Sequence, residues 1–468
     1  MASPDKPTCN NGIITTPDSN YIPNPEGIGY EIFTHLKKHF EKKLVIDGHT
    51  GKEETFGSAL EKSVRLAMKM QEHGIQPNDL ILICTLNTVD SCIPIFASLY
   101  IGAKVTFFDH QIPLREATLM INEINPVMMF ISLESVHFIE KLMKESNKRA
   151  TIVVFGETDS YLNYFDMICS YDGEDQFLPI KIEETQVAFI FFSSGSTAVP
   201  KPICFSHVAL LTLVGAPLDL NESFNMMLIF SHLYWITNFC YWVYSIIKGY
   251  CRLSMNFTED LQLVWNVIDT YKPNFVFLKP NQMRQLCEAM PPDANGDSVK
   301  KVYVGGGHVS ANEWKNYKKI FRNAVLSSGY GLSEVGLLFY FPSSTEEELQ
   351  CIESKPTSIG RVLNGISYKL IEDVLMSRNE INTACVFGVP CGYEAEHAVA
   401  IVVLSSTCTS IYNIKHELCQ YVEESLGSRY KLGDIKIVEE IPLLPGGKPD
   451  IRKLKKDYIV STKEQCNE

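Results

Sequence analysis

The sequence lacks the hallmarks of several protein classes. Its 14 cysteines include no Cys-x-x-Cys pair, which argues against a zinc ribbon or a thioredoxin-type redox site. Its 42 basic residues are outnumbered by 55 acidic ones, so the net charge of −13 disfavours binding to nucleic acid. The first 20 residues are polar and contain no apolar stretch of the kind that a signal peptide requires. We therefore expect a cytoplasmic protein with a small-molecule partner.

One long uncharged segment is compatible with a membrane span. Between Glu222 and Lys248 lie 25 residues without Asp, Glu, Lys or Arg. Polar residues, His232 among them, interrupt the segment where a span would cross the middle of the bilayer. The same letters fit a buried strand (226–230), a loop and a buried helix (236–247), so no transmembrane segment is predicted.

The remaining pattern predicts an α/β protein of more than one domain, since 468 residues exceed one ordinary core. Short apolar strands alternate with helices, which is typical of parallel sheets covered on both faces. After Asp373 the pattern changes to a smaller α+β unit with a basic helical tail. The clearest predicted strands are 80–84, 105–108, 127–131, 152–155, 187–192, 275–278, 301–304 and 323–327.

The most informative stretch is an apolar strand that runs from Val187 into a hydroxyl-rich loop ending at Lys201. Small residues allow backbone N–H groups to approach anionic oxygens, hydroxyls donate to them, and lysine adds a positive charge. The loop is not a Walker A motif, because Pro200 and Pro202 prevent a helix from starting at the lysine. We interpret it as a phosphate-binding loop, with an ordinary polar turn as the alternative. Its candidate ligands are Ser193, Ser194, Gly195, Ser196, Thr197 and Lys201.

A second stretch, Ser327 to Glu334, also leaves a strand and enters a glycine-flanked turn. Tyr330 offers a flat face for a base, with Gly331 beside it, Ser333 offers a hydroxyl for phosphate, and Glu334 offers an oxygen ligand for Mg²⁺. The spacing of the glycines differs by one residue from a serine hydrolase elbow, which makes that class improbable.

Three weaker signals complete the set. Gly305, Gly306 and Gly307 follow a strand and suit close approach of backbone to a planar ring. Lys448 follows a Gly-Gly turn near the C-terminus, and taken alone it would be a solvated surface charge. His232 interrupts the apolar segment at a strand end, and core and pocket-wall positions remain open for it. The pair His35 and His39 is expected to lie on a solvated helix face.

In this order and spacing, these segments resemble the adenylate-forming superfamily of acyl-CoA synthetases, coumarate:CoA ligases and beetle luciferases. The resemblance implies that 193–201 is the phosphate loop, 305–307 the adenine-binding turn, and Tyr330 to Glu334 the family's Tyr-Gly-Leu-Thr/Ser-Glu signature. It implies that His232 lines the acid pocket and that Lys448 is the catalytic lysine. It also implies an N-terminal AMP-binding domain (1–373) and a mobile C-terminal domain (374–468).

The implied reaction has two steps. The carboxylate of a fatty or aromatic acid attacks the α-phosphate of Mg·ATP to give an acyl-adenylate, and CoA then displaces AMP. The resemblance assigns stabilisation of the developing charge to Lys448, phosphate binding to Ser333 and the loop, and the metal to Glu334. Relatives often end in Ser-Lys-Leu, a peroxisomal signal, but this chain ends Gln465-Cys466-Asn467-Glu468.

The sequence departs from the superfamily after Asp373, where several tens of expected residues are absent. They include a Ser/Thr-Gly-Asp motif for the ribose, a following arginine and the hinge. Each lost charged hydrogen bond would weaken nucleotide binding by roughly ten- to a hundredfold. The phosphate loop also has Ala198 and Pro202 where glycine is usual, which stiffens it.

These departures leave several hypotheses open. The chain is an acid:CoA ligase with an impaired second step, a catalytically silent relative that binds acids or nucleotides, or a luciferase-like monooxygenase. The gap is also what a skipped exon would produce.

Overall fold

The computed structural model describes residues 8–10, 13–16, 21–183, 185–193, 200–215, 224–258, 260–292, 294–307, 309–341, 345–355, 358–363, 367–368, 371–391, 395–406, 413–426, 432–443 and 449–465. The chain divides into two compact units. The larger unit comprises 20–363, and the smaller unit comprises 1–19 together with 364–468. The predicted domain boundary at 373/374 stays a prediction.

The strands in chain order are β1 Thr8–Asn10, β2 Ile13–Thr15, β3 Lys43–Asp47, β4 Glu53–Thr55, β5 Leu80–Cys84, β6 Lys104–Phe107, β7 Met128–Ser132, β8 Thr151–Phe155, β9 Leu162–Asn163, β10 Val187–Ser193, β11 Lys201–Ser206, β12 Met226–Ile229, β13 Cys251–Ser254, β14 Phe275–Leu278, β15 Lys301–Val304, β16 Val325–Ser328, β17 Tyr330–Leu332, β18 Gly336–Tyr340, β19 Arg361–Val362, β20 Ser367–Tyr368, β21 Ile381–Cys391, β22 Ala395–Leu404 and β23 Leu432–Ile437.

The α-helices are α1 Gly27–Lys38, α2 Phe56–Glu72, α3 Ile93–Tyr100, α4 Leu114–Asn122, α5 Val136–Ser146, α6 Tyr164–Met167, α7 His207–Gly215, α8 Ile236–Lys248, α9 Leu261–Tyr271, α10 Pro280–Glu288, α11 Ala311–Ile320, α12 Glu346–Ser354, α13 Ile371–Met376, α14 Ile414–Leu426 and α15 Ile451–Gln465. Short 3₁₀ turns occur at Leu133–Ser135 and Glu174–Gln176.

The larger unit contains two seven-stranded sheets and one three-stranded sheet with the order β17-β18-β19. The first seven-stranded sheet has the order β11-β10-β6-β5-β7-β8-β9, and the second has the order β16-β15-β14-β12-β13-β3-β4. Within each seven-stranded sheet all neighbours are parallel except one edge pair, β10 with β11 and β3 with β4. The strands β5, β7, β14 and β15 are buried at every residue, as expected for parallel sheets that helices cover on both faces. The predicted α/β class is confirmed.

Helix α8 packs between the two large sheets. Its Phe239 ring lies 4.1 Å from that of Phe189 on β10, and its Tyr241 ring lies 5.2 Å from that of Phe277 on β14. The helix ends at Gly249, which adopts a positive φ of 67° that L side chains rarely take. The long uncharged segment is therefore the buried strand β12, a loop and α8, as predicted. In the described residues no helix is both long and apolar enough to cross a membrane.

Each large sheet has its own core on its outer face. Helices α9, α10 and α11 cover the second sheet, where the fully buried Trp265 donates from Nε1 to the Leu286 carbonyl at 3.0 Å. Helices α4 and α5 contribute Ile121, Ile139 and Leu142 to the core of the first sheet. Each large sheet therefore has helices packed on the face that α8 does not contact.

The smaller unit contains two three-stranded sheets, with the orders β1-β2-β20 and β21-β22-β23. In the second of these, one face packs residues of α13 and α14, such as Leu375 and Leu418. The other face packs Leu454 and Tyr458 of α15. The predicted α+β pattern with a helical tail is observed in the described parts of this unit.

The prediction that His35 and His39 lie on a solvated face is wrong. His35 lies 3.3 Å from a carboxylate oxygen of Glu31, and His39 stacks edge-on against Phe56 with ring centroids 5.5 Å apart. The reason is that α1 packs against α2, α3, α7 and α8, so that most of its circumference is covered. Burial lowers the pKa of His39.

Candidate active site

The carboxyl ends of β12, β14, β15 and β16 meet at one edge of the second sheet, because these strands are neighbours and parallel. The residues that follow them are Phe230, Lys279, Gly305 and Gly329. Ligands of open α/β sheets bind at such edges. A cavity of about 640 Å³ lies here, between this edge and β10 of the first sheet.

Aromatic side chains form much of the cavity wall. They come from both sheets and from the segment that leads into α8, and they include Phe107, Phe191, Tyr234, Trp235, Phe277 and Tyr303. Such a wall buries the apolar body of a small molecule. Glu116 on α4 is the one carboxylate among the described lining residues, and no Lys, Arg or His lines the cavity there.

The glycine turn after β15 opens onto the cavity. Gly305 and Gly306 line it. A Cβ on Gly306 would meet nothing within 4 Å, but its φ of 84° excludes most side chains. A Cβ on Gly307 would lie 3.0 Å from Pro280. The turn therefore leaves open space beside bare backbone, which suits a flat ring.

The segment from Tyr330 forms a hairpin rather than the predicted simple turn. Strands β17 and β18 pair antiparallel, with Gly331 opposite Leu337. A Cβ on Gly331 would lie 2.5 Å from the Gly336 carbonyl oxygen, so a side chain there would separate the two strands. Tyr330 is exposed, with its ring 6.2 Å from that of Phe339. Gly331 lines the cavity, and the exposed Tyr330 ring is available for stacking.

The hairpin carries Ser333 and Glu334 at its tip. Ser333 is half-buried and lines the cavity, whereas Glu334 is exposed. In the described residues no group of three or more His, Cys, Asp or Glu is arranged to hold a metal. Mg²⁺ at a nucleotide site usually takes one or two carboxylates together with phosphate oxygens. A single carboxylate next to a cavity-lining hydroxyl fits that requirement.

Only the two ends of the predicted phosphate-binding loop lie among the described residues. Ser193, the last residue of β10, pairs antiparallel with Lys201, the first residue of β11. Lys201 is exposed, and Pro200 lines the cavity. The loop therefore leaves and re-enters the fold beside the cavity. Ser194, Gly195, Ser196 and Thr197 lie outside the described residues, as does Lys448 in the smaller unit.

His232 does not line the cavity itself but packs against a residue that does. Its imidazole stacks on Tyr234 with centroids 5.1 Å apart and an interplanar angle of 15°. Tyr234 lines the cavity, while His232 is exposed overall. Desolvation by the neighbouring protein, followed by repulsion from Lys279, lowers the pKa of His232. His232 is thus neither a core residue nor one of the described lining residues. It packs against Tyr234, which lines the cavity.

Sequence reasoning missed Trp235, Lys279 and Tyr303. The Lys279 ammonium lies 3.4 Å from the centroid of the Trp235 ring, and Trp235 and Tyr303 line the cavity. The buried Tyr303 hydroxyl has no hydrogen-bond partner among the described residues. One signal was available for Lys279, because it follows an apolar strand directly, as Gly305 and Gly329 do.

Two protein-family profiles match the chain. The sequence profile of the AMP-binding enzyme family matches residues 32–380, and that of the AMP-binding enzyme C-terminal domain matches 370–448. The chain belongs to the AMP-binding enzyme family. The resemblance to adenylate-forming enzymes is thereby confirmed for this AMP-binding enzyme.

Its curated relatives include luciferases and ligases. A luciferin 4-monooxygenase of Photuris pensylvanica is 20% identical over 388 residues, covering 76% of this chain and 68% of the relative. A 4-coumarate–CoA ligase of Arabidopsis thaliana is 22% identical over 367 residues, covering 74% and 62%. The AMP-binding enzyme spans between 60% and 69% of the length of these and similar relatives.

Solved structures show the same fold. The luciferase-like enzyme of the nonluminescent mealworm Zophobas morio has a TM-score of 0.73 and 28% identity, covering 80% of this chain and 88% of that structure. A fatty acyl CoA synthetase of Mycobacterium tuberculosis has a TM-score of 0.63 and 15% identity, covering 93% and 99%. At that identity the second likeness concerns the fold alone.

Proposed function

We propose that this AMP-binding enzyme activates a carboxylic acid with ATP and passes the acyl group to CoA. The cavity supports this function most strongly, because an aromatic wall, a bare glycine turn and the Ser333 hydroxyl meet there. The wall suits the body of a fatty or aromatic acid, the turn suits a purine, and the hydroxyl suits a phosphate oxygen. Three parts of one acyl-adenylate thus have complementary surfaces around one space.

The proposed reaction proceeds in two displacements. A carboxylate oxygen attacks the α-phosphorus, the bond to the β-phosphate breaks, and pyrophosphate leaves. The CoA sulfur then attacks the acyl carbon, its proton is lost, and AMP leaves. In our proposal Ser333 donates to phosphate and Lys448 stabilises the charge that develops at the reacting oxygens. Mg²⁺, when bound through Glu334, would neutralise phosphate charge.

Acid-dependent pyrophosphate release from ATP tests the first step. The panel comprises benzoate, 4-coumarate, octanoate and palmitate, with the product adenylates identified by mass spectrometry. We expect release with at least one acid, and we expect Ser333→Ala and Lys448→Ala to lower it by at least tenfold. Ser354→Ala and Lys453→Ala are matched controls, since both side chains are exposed on helices and neither is among the residues that line the cavity.

Thioester formation is measured separately. Adenylate without thioester would contradict the CoA step of the proposal and support the hypothesis that the missing segment impairs it. Calorimetric binding of AMP without any pyrophosphate release would favour the silent relative. Neither binding nor release with any acid would contradict the proposed function.

A further inference from the structure

Lys279 occupies a special place at the edge of the second sheet. It follows β14 directly and lies between the turn after β15, at Gly305, and the segment after β12, at His232. Its backbone N–H donates to the Gln282 side chain at 2.9 Å, which fixes the residue at the start of α10. The side chain is half-buried and reaches the Trp235 ring at 3.4 Å from its centroid. The ammonium is therefore held against a residue of the cavity wall.

This ammonium has no counter-ion in the described part of the chain. None of the ion pairs found there within 4.0 Å involves Lys279. Burial lowers its pKa, and no carboxylate offsets that effect. A partly desolvated charge without a partner is costly, and an anion bound beside Lys279 would offset that cost. The aromatic face of Trp235 compensates only part of the cost.

The charges at and beside the cavity have opposite signs. Glu116 lies on the lining and repels a carboxylate, whereas Lys279 attracts one. These two charges would favour an acid whose apolar body lies against the aromatic wall and whose charged end lies at Trp235, on which the Lys279 ammonium rests.

We infer that Lys279 recognises the carboxylate of the acid substrate at the edge of the Trp235 ring. This inference rests on the proposed function and names the group that distinguishes an acid from its neutral analogues. Adenylation removes the carboxylate charge, so the ion pair stabilises bound acid more than the acyl-adenylate. Loss of Lys279 should consequently raise the KM for the acid more than it lowers kcat.

The test compares acids with their primary amides, which have the same shape but no charge. Benzoate, 4-coumarate and octanoate are each paired with their amide, and binding is followed by calorimetry and by quenching of tryptophan fluorescence. Of the four tryptophans, Trp235 alone lines the cavity, so quenching reports this site. The proteins are the wild type, Lys279→Met, Lys279→Arg and the control Lys248→Met. Lys248 also lies over an aromatic ring, Tyr244 at 5.7 Å, but not at the cavity.

We expect the wild type to prefer at least one acid over its amide by about ten- to a hundredfold. Lys279→Met should remove this preference without weakening the amide, Lys279→Arg should retain most of it, and Lys248→Met should leave it unchanged. A wild type without any preference, or a preference that survives in Lys279→Met, overturns the inference. Equal loss of acid and amide binding also overturns it, since that would mean that Lys279 only supports Trp235.

Binding does not depend on turnover, so the two proposals fail separately. Carboxylate preference without pyrophosphate release would contradict the proposed function and support the role of Lys279. Pyrophosphate release by Lys279→Met with an unchanged KM for the acid would support the proposed function and contradict the role of Lys279.

Discussion

One buried histidine makes the free energy of unfolding depend on pH. His207, the first residue of α7, is 0% exposed, and its Nδ1 accepts the Ile28 N–H at 3.3 Å. Protonation would place a hydrogen on Nδ1, directed at the Ile28 N–H, in a site without solvent. Burial accordingly lowers the pKa of His207 to about 4 from 6.5. The neutral imidazole is thus the form that fits the fold.

The sign and size of the effect follow from linkage. The folded state favours neutral His207, so its contribution is fully present above pH 6.5 and is lost as pH falls toward 4. The unfolded chain binds a proton near pH 6.5 and the folded chain near 4, so the free energy of unfolding is lower by roughly 2–3 kcal/mol at pH 4.5 than at pH 7.5.

The assay is urea unfolding of the wild type and His207→Asn between pH 7.5 and 4.5. Asparagine retains an acceptor near the Nδ1 position but does not titrate, so the difference between the two proteins cancels the other titrating groups. We expect the free energy of unfolding of the wild type to fall by about 2–3 kcal/mol more than that of the variant over this range. His137→Asn, at an exposed position on α5, is the control and should follow the wild type. A wild-type-to-variant difference that stays constant with pH would refute the reasoning.

Two further predictions concern packing. Gly329→Ala places a Cβ in overlap with the Tyr303 hydroxyl and 2.6 Å from the Phe339 carbonyl oxygen, so we expect a loss of about 1–3 kcal/mol, measured by urea unfolding. Adding Tyr303→Phe should recover part of that loss, and no recovery would mean that the hydroxyl is not the obstacle. Trp265→Phe removes the 3.0 Å hydrogen bond to Leu286 and leaves space in a fully buried site, so we expect about 2–4 kcal/mol of destabilisation and a lower thermal midpoint. An unchanged midpoint would contradict the packing described for α9 and α10.

Local signals predicted most strands of the two large sheets. Runs such as Leu80–Cys84 and Phe275–Leu278 are short, apolar and bounded by turn residues, and they form strands with those bounds. Helix α2 begins after Thr55, whose side chain accepts the Ser58 N–H at 3.0 Å. These features depend on residues close in sequence, which is why the chain alone indicates them.

The order of the strands and the partners of the site could not be predicted in the same way. Nothing local indicates that Lys279 meets Trp235, 44 positions earlier, or that His39 packs on Phe56. The hairpin at Tyr330 was missed because a three-residue strand between glycines has the composition of a turn. Such contacts depend on sheet order and on helix packing, which couple distant segments.

The position of α8 has a consequence for how the cavity responds to its contents. Phe239 and Tyr241 contact opposite sheets within one turn of the same helix, so α8 sets the distance between the two sheets beside the cavity. The width of the cavity is consequently set by one helix. Enlarging or shrinking side chains along α8 should therefore change which of the acids proposed as substrates fit the cavity, while the glycine turn after β15 is left untouched.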